Sequence, residues 1–166
     1  MVKTFITITL LLVVLFGCSY SVYSNTYPHL KKIRIAAFEN RSASFEIGEN
    51  IFSGLNLQFR NDGRLKPVTQ DPDCLLEGVI LSFDENIHSY DVNNKIQDYR
   101  LTLVMSINFT DLSKNETIWE NRALSLSQTY AVGQSGTSKN KSREEATDAL
   151  IKDLFNTIIQ NSLERW

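Results

Sequence analysis

The chain has 166 residues, and without its first 17, whose only charge is Lys3, it keeps 16 basic against 19 acidic side chains, a formal −3. That length suits one domain with its own core, and an acidic balance with no basic block argues against nucleic acid as a partner. At 42% hydrophobic and 22% charged residues the composition excludes a disordered tail, and two Cys with two His are too few for a centre built on those ligands.

Met1-Val2-Lys3 is a short basic start, and Thr4 to Phe16 is an uncharged run dominated by Phe, Ile, Leu and Val. The run is too short to span a ~30 Å hydrocarbon core comfortably and has the layout of a secretory signal. It ends in Leu15-Phe16-Gly17-Cys18, which resembles a bacterial lipobox, with Phe16 where a smaller residue is usual. The expectation is cleavage after residue 17 and acylation of Cys18. Cys18 as the last residue of an uncleaved anchor fits less well, because polar residues begin at once. Ser19, rather than Asp, favours the outer membrane under the enterobacterial sorting habit. Cys74 is then a lone thiol, in a setting that reads as the start of a buried strand.

The mature chain opens with a polar, Tyr-rich tether over residues 18–30, and a single domain is expected over 31–166. Lys32 to Phe38 alternates as a strand with Ile33, Ile35 and Ala37 on one face, followed by a turn at Glu39 to Ser42. From Glu46 to Asn61, Ile47, Ile51, Phe52, Leu55 and Phe59 recur at helical steps. Asn61-Asp62-Gly63 supplies the stop, with Gly63 free to take the left-handed conformation. Short and long strands are expected at Arg64 to Val68, Cys74 to His88, Gln97 to Asp111 and Thr117 to Gln128. The third is the cleanest, with Tyr99, Leu101, Leu103, Met105, Ile107 and Phe109 on one face and Arg100, Thr102, Ser106 and Asn108 on the other. A polar loop follows at Thr129 to Lys141. Ser142-Arg143-Glu144-Glu145 is a capping box, opening a helix that runs almost to the end. The order β-α-β-β-β-β-α predicts an α+β two-layer sandwich: one mostly antiparallel sheet, both helices on one face, and one parallel pair from the first β-α-β step.

Several stretches in this order carry a family resemblance: Gly17-Cys18-Ser19-Tyr20, Ile33-Arg34-Ile35-Ala36-Ala37-Phe38-Glu39-Asn40, Asp62-Gly63-Arg64-Leu65, Leu76-Glu77-Gly78-Val79-Ile80, Tyr99-Arg100-Leu101, Asp111-Leu112 and Ile118-Trp119-Glu120-Asn121. Their order and spacing resemble the LptE family of lipopolysaccharide (LPS) assembly lipoproteins. The resemblance implies two helices against a sheet and a non-enzymatic role without cofactors. It implies a seat inside the outer-membrane β-barrel LptD, support of that barrel's folding, and a part in delivering LPS to the cell surface. Enteric members also bind LPS through basic residues at one end of the sheet.

No nucleophile with a His and a carboxylate beside it is apparent. His29 and His88 read as solvated, and Asp84, Glu85, Asp91 and Asp98 as a solvated acidic loop rather than a Ca²⁺ site. Gly133-Gln134-Ser135-Gly136 lacks the context of a phosphate loop. Lipid A phosphates call for Arg or Lys gathered at one end. If residues of the last hairpin whose numbers sum to about 228 face each other, Arg100 lies near Gln128. The turn with Lys95 then lies near the loop with Lys139 and Lys141, and Lys114 sits at the far end. Lys95, Arg100, Lys139 and Lys141 are the candidate LPS contacts, against the reading that they are ordinary surface charges. The polar face of Thr102, Ser106 and Asn108 suits the hydrated interior of a barrel or bare solvent alike. The leading expectation is a lipid-anchored plug of the LPS translocon with an LptD-like barrel as partner, on the periplasmic side of the outer membrane. The competing one is a periplasmic-facing lipoprotein that binds a small ligand or cell-wall polymer.

Overall fold

The computed structural model describes residues 27–133 and 136–164. The signal at 1–17, Cys18 and the tether as far as residue 26 lie outside the described residues. The elements are β1 (Lys32–Ile35), β2 (Glu39–Asn40), α1 (Ile47–Asp62), β3 (Lys66–Pro67), β4 (Cys74–Tyr90), β5 (Ile96–Asp111), β6 (Glu116–Ala131) and α2 (Arg143–Ser162). One sheet runs in the order β3-β1-β4-β5-β6, with β2 also beside β4. The long β4–β5 and β5–β6 pairs are antiparallel. The sequence reading allowed one parallel pair; β1–β3, β1–β4 and β2–β4 are all parallel, because β1 sits between the strand its crossover helix leads to and the hairpin that follows.

The segment expected as one strand from Lys32 to Phe38 is broken. Ile35 pairs with Leu76 while Glu39 pairs with Val79, so one extra residue is absorbed between them. The extra residue reverses the alternation: Ile33 and Ile35 are buried as expected, but Phe38 enters the core and Ala37 is exposed. Burying a phenyl ring in place of a methyl is worth roughly 2 kcal/mol of apolar transfer, enough to favour the irregular strand. The expected turn at Glu39 to Ser42 therefore contributes β2 before it turns.

Helix α1 buries Ile47, Ile51, Leu55 and Phe59 in one stripe. Gly63 ends it at φ 77°, its amide donating to the Phe59 carbonyl at 3.2 Å. Gly54 is where the two helices meet: a Cβ there would come within 2.8 Å of Ile151. Phe59 and Phe155 meet edge to face, with centroids 5.0 Å apart. At the start of α2 the Ser142 hydroxyl accepts from the Glu145 amide at 3.1 Å. Glu145 reaches back one residue further than a capping box predicts, accepting from the amide of Lys141 at 2.7 Å.

Strand β5 settles the layering. Leu101, Leu103, Met105, Ile107 and Phe109 are fully buried under the helices, while the residues between them face the other way and are half-buried. In β6 one extra residue is accommodated between the Met105–Leu124 and Ile107–Asn121 pairs. This offset brings Leu124 opposite Met105 on the helix side, where the expected register would have left it facing outward.

Candidate functional surface

The molecule offers two candidate surfaces built by β4, β5 and β6: the polar sheet face without helices, and the end carrying the β4–β5 turn.

On the open face, cross-strand rows run Asp84–Thr102–Ser127 and Ser82–Val104–Ser125, with Val79 beside Ser106 and Glu77–Asn108–Glu120 nearer the other end. The middle of this face carries short hydroxyl side chains and Val, with longer charged groups toward its ends. Asn108 donates to both Glu77 and Thr110 at 3.3 Å. Thr102, Ser106 and Asn108 thus lie on one face, as the alternation predicted.

At the turn end, Asp91 organises residues 91–95, its carboxylate accepting from the amides of Asn93 and Lys95 at 2.8 Å each. The neighbouring loop is tied to the sheet by Asp98. This buried carboxylate accepts from Ser89 Oγ at 2.6 Å, Thr137 Oγ1 at 2.8 Å, and the amides of Thr137 and Ser138 at 3.0 and 2.8 Å. Burial opposes its charge, yet the hydrogen bonds from Ser89, Ser138 and Thr137 hold its pKa well below the usual carboxylate range. Asp98 is thus an internal staple, not part of a solvated acidic loop. Glu85 is also engaged, accepting from the Tyr130 hydroxyl and from Arg143 Nε, the latter at 3.0 Å. Tyr130 stacks on Tyr99, and burial followed by the bond to Glu85 pushes its phenol pKa up.

Among the candidate cations, Lys95, Arg100, Lys139 and Lys141 are all exposed. Main-chain bonds from Ala131 to Asn140 at 2.9 Å and from Val132 to Gln97 at 2.7 Å bring the two loops to the same end. Lys141 Nζ donates to the Ser138 carbonyl at 2.7 Å. Arg100 pairs with Thr129, one residue beyond the expected Gln128, because β6 carries the extra residue. Its guanidinium lies 2.8 Å from His88 Nδ1, so His88 has a protein neighbour on the sheet surface. Lys114 belongs to the opposite turn, after Asp111.

The sequence reading missed the apolar character of this end. Ile87, Tyr90, Val92 and Val132 are exposed large hydrophobics around the lysines; an Ile and a Tyr near a strand's end would have been the signal. It also missed the role of His29, whose Nε2 lies 2.5 Å from Asp111 Oδ2, with only a third of the imidazole exposed. Leu30 is fully buried, and the amides of Lys31 and Lys32 donate to Asp73 at 2.8 Å. Residues 27–32 are thus already fastened to the domain. Cys74 is buried at the start of β4, where desolvation raises its thiol pKa to about 12. Among the described residues no three His, Cys, Asp or Glu side chains gather to hold a metal, and no helix is long and apolar enough to cross a membrane.

Fold and surface together define a small α+β module whose extended polar surface is a sheet face rather than a cleft of reactive groups. The chain belongs to the LptE lipopolysaccharide-assembly family, whose model matches residues 30–162. No curated protein matches it. Among solved structures it is similar to lipoprotein B from Nitrosomonas europaea (TM-score 0.52, 17% identity, covering 80% of this chain and 83% of that one). It is similar also to the PelC dodecamer protein from Paraburkholderia phytofirmans (0.51, 12%, 80% and 89%) and to XCC0632 from Xanthomonas campestris (0.54, 9%, 81% and 89%). At these identities the likeness is one of fold.

Proposed function

We propose that this protein is a non-enzymatic, lipid-anchored subunit of the outer-membrane LPS translocon, acylated at Cys18 and seated in the lumen of an LptD-like barrel whose folding it supports. Within the family assignment, the observation that carries the reading is the open face of β4–β6. Ser and Thr give up little rotamer freedom on contact, whereas Lys, Glu and Gln give up much. A face of Thr102, Ser106, Ser125 and Ser127 is therefore suited to hydrogen bonding against a hydrated barrel wall. Lys95, Arg100, Lys139 and Lys141 are the proposed contacts for lipid A phosphates, with Tyr90 and Val92 beside them to meet acyl chains.

A photo-crosslinking residue at Ser127 or Ser106, in cells, tests the seat. The expected product joins this chain to one large outer-membrane barrel, and crosslinks to no barrel would overturn the reading. Cys18→Ala should abolish acyl labelling and leave an unprocessed precursor. Arg100→Glu should weaken LPS binding while leaving the fold intact; unchanged binding removes Arg100 from the contact set.

A further inference from the structure

A feature outside both of these surfaces lies at the opposite edge of the sheet. Strand β3 is only two residues long and ends in Pro67, and its ladder with β1 closes with the Val68 amide donating to the Ile33 carbonyl at 2.8 Å. The chain then turns away through Asp71, at φ 48°. Ala36 gives its amide to Leu76 of β4 at 2.9 Å. By strand alternation, the amide and carbonyl of Ile35 point the other way, and Ala37, in the irregular stretch before β2, is exposed beside it. Among the described residues, Ile35 makes no main-chain bond toward β3 and Ala37 makes none at all.

This bare edge forms one wall of a cleft of about 1030 Å³ whose other walls are α1 and the segment after β3. Phe52 of α1, only partly buried, and Val68 give it an apolar floor. Arg34 and Arg60 also line it, and neither pairs with a carboxylate among the described residues; Glu49 is the one acidic side chain in the lining. The free groups of Ile35 and Ala37 include both N–H donors and C=O acceptors. A phosphate or an isolated carboxylate would satisfy the donors and leave the carbonyls bare, whereas another main chain satisfies both.

We propose that this cleft takes an extended, acidic segment of another polypeptide, which adds to the sheet as a strand beside Ile35 and Ala37. Its backbone pairs with theirs, apolar side chains cover Phe52 and Val68, and Asp or Glu side chains meet Arg34 and Arg60. Sheet edges are ordinarily protected by charges and irregularities. The long outer edge of β6 has such protection in its irregular pairing and in Glu116, Glu120 and Arg122. The β1 edge has it only as far as β3 and Pro67 reach. The site is independent of the open face and of the turn-end cations, so it stands or falls apart from the translocon reading.

The test uses the full-length acylated protein in detergent micelles. The probe is a nine-residue peptide alternating Val and Thr with three Asp, set against a twin with Lys in place of Asp. Amide hydrogen exchange is followed over residues 34–38. The Asp peptide should slow exchange at Ile35 and Ala37 at least tenfold. The R34E/R60E pair should weaken it at least tenfold and transfer the preference to the Lys peptide. Ala37→Pro, which removes an unbonded donor while sparing the bonds to β4, should abolish protection; if that variant unfolds, the charge-reversed pair still decides. Equal binding of both peptides, protection along β6 instead, or concentration-dependent self-protection without peptide, which would make the occupant a second copy, each overturns the proposal.

Discussion

The two faces of β5 are built from the same sixteen residues and have opposite tasks. Toward the helices stand Leu101, Leu103, Met105, Ile107 and Phe109, all with no exposed surface. Facing away stand Thr102, Val104, Ser106, Asn108 and Thr110, half-buried under nothing but their neighbours. The first face resists change because every atom there has a close partner. The second tolerates change in the isolated protein, so its composition speaks of what it meets elsewhere.

That contrast can be broken or sharpened at graded cost. Leu103→Ala should cost about 3 kcal/mol, transfer plus cavity, read as a lower urea midpoint at unchanged slope. Asp98→Ala strips the acceptor from four donors and should cost about 2 kcal/mol. Its signature is faster hydrogen exchange at Thr137 and Ser138, with the helices unaffected. Gly54→Val forces a side chain against Ile151 and should cost roughly 1–3 kcal/mol, with the loss read in thermal unfolding. On the open face, Thr102→Ala with Ser127→Ala should stay within about 0.5 kcal/mol yet reduce recovery of a barrel partner; full recovery would show that the hydroxyls are not used.

Acid acts on the same frame. Burial works against the charge of Asp111, but hydrogen bonds from Ser113, His29 and the Lys114 amide bring its pKa down to about 2. A depressed carboxylate contributes stability that is complete above its unfolded value near 4 and is lost as pH falls through the folded value. Asp98 is shifted in the same direction. Stability should therefore fall between about pH 4 and pH 2, and Asp111→Asn should flatten that limb of the curve in fluorescence-detected unfolding. The same substitution tests whether His29 holds the N-terminal segment, read as faster exchange at Leu30.

Much of the fold was legible locally. The alternation of β5, the stripe of α1 apart from the half-buried Phe52, the left-handed stop at Gly63 and the Ser142 cap each follow from a few consecutive side chains, and each stands where it was expected. The hidden parts share one cause. Phe38 and Leu124 reach the core only because one residue is absorbed in β1–β2 and another in β6. A run read with strict period two assigns both to the wrong side. The candidate cations were legible as residues and as an end of the sheet. The staple at Asp98 and the bond from His29 to Asp111 were not, because each joins groups far apart in the chain.

By itself, then, the sequence determined which segments coil, which extend and which face of β5 turns inward, since periodicity and capping act over one or two turns of chain. Tertiary structure decided where an extra residue is spent, which carboxylates become internal fastenings and which strand edge is left bare. Those outcomes turn on burying one ring or satisfying one buried charge, and such differences of a few kcal/mol arise only once distant segments meet.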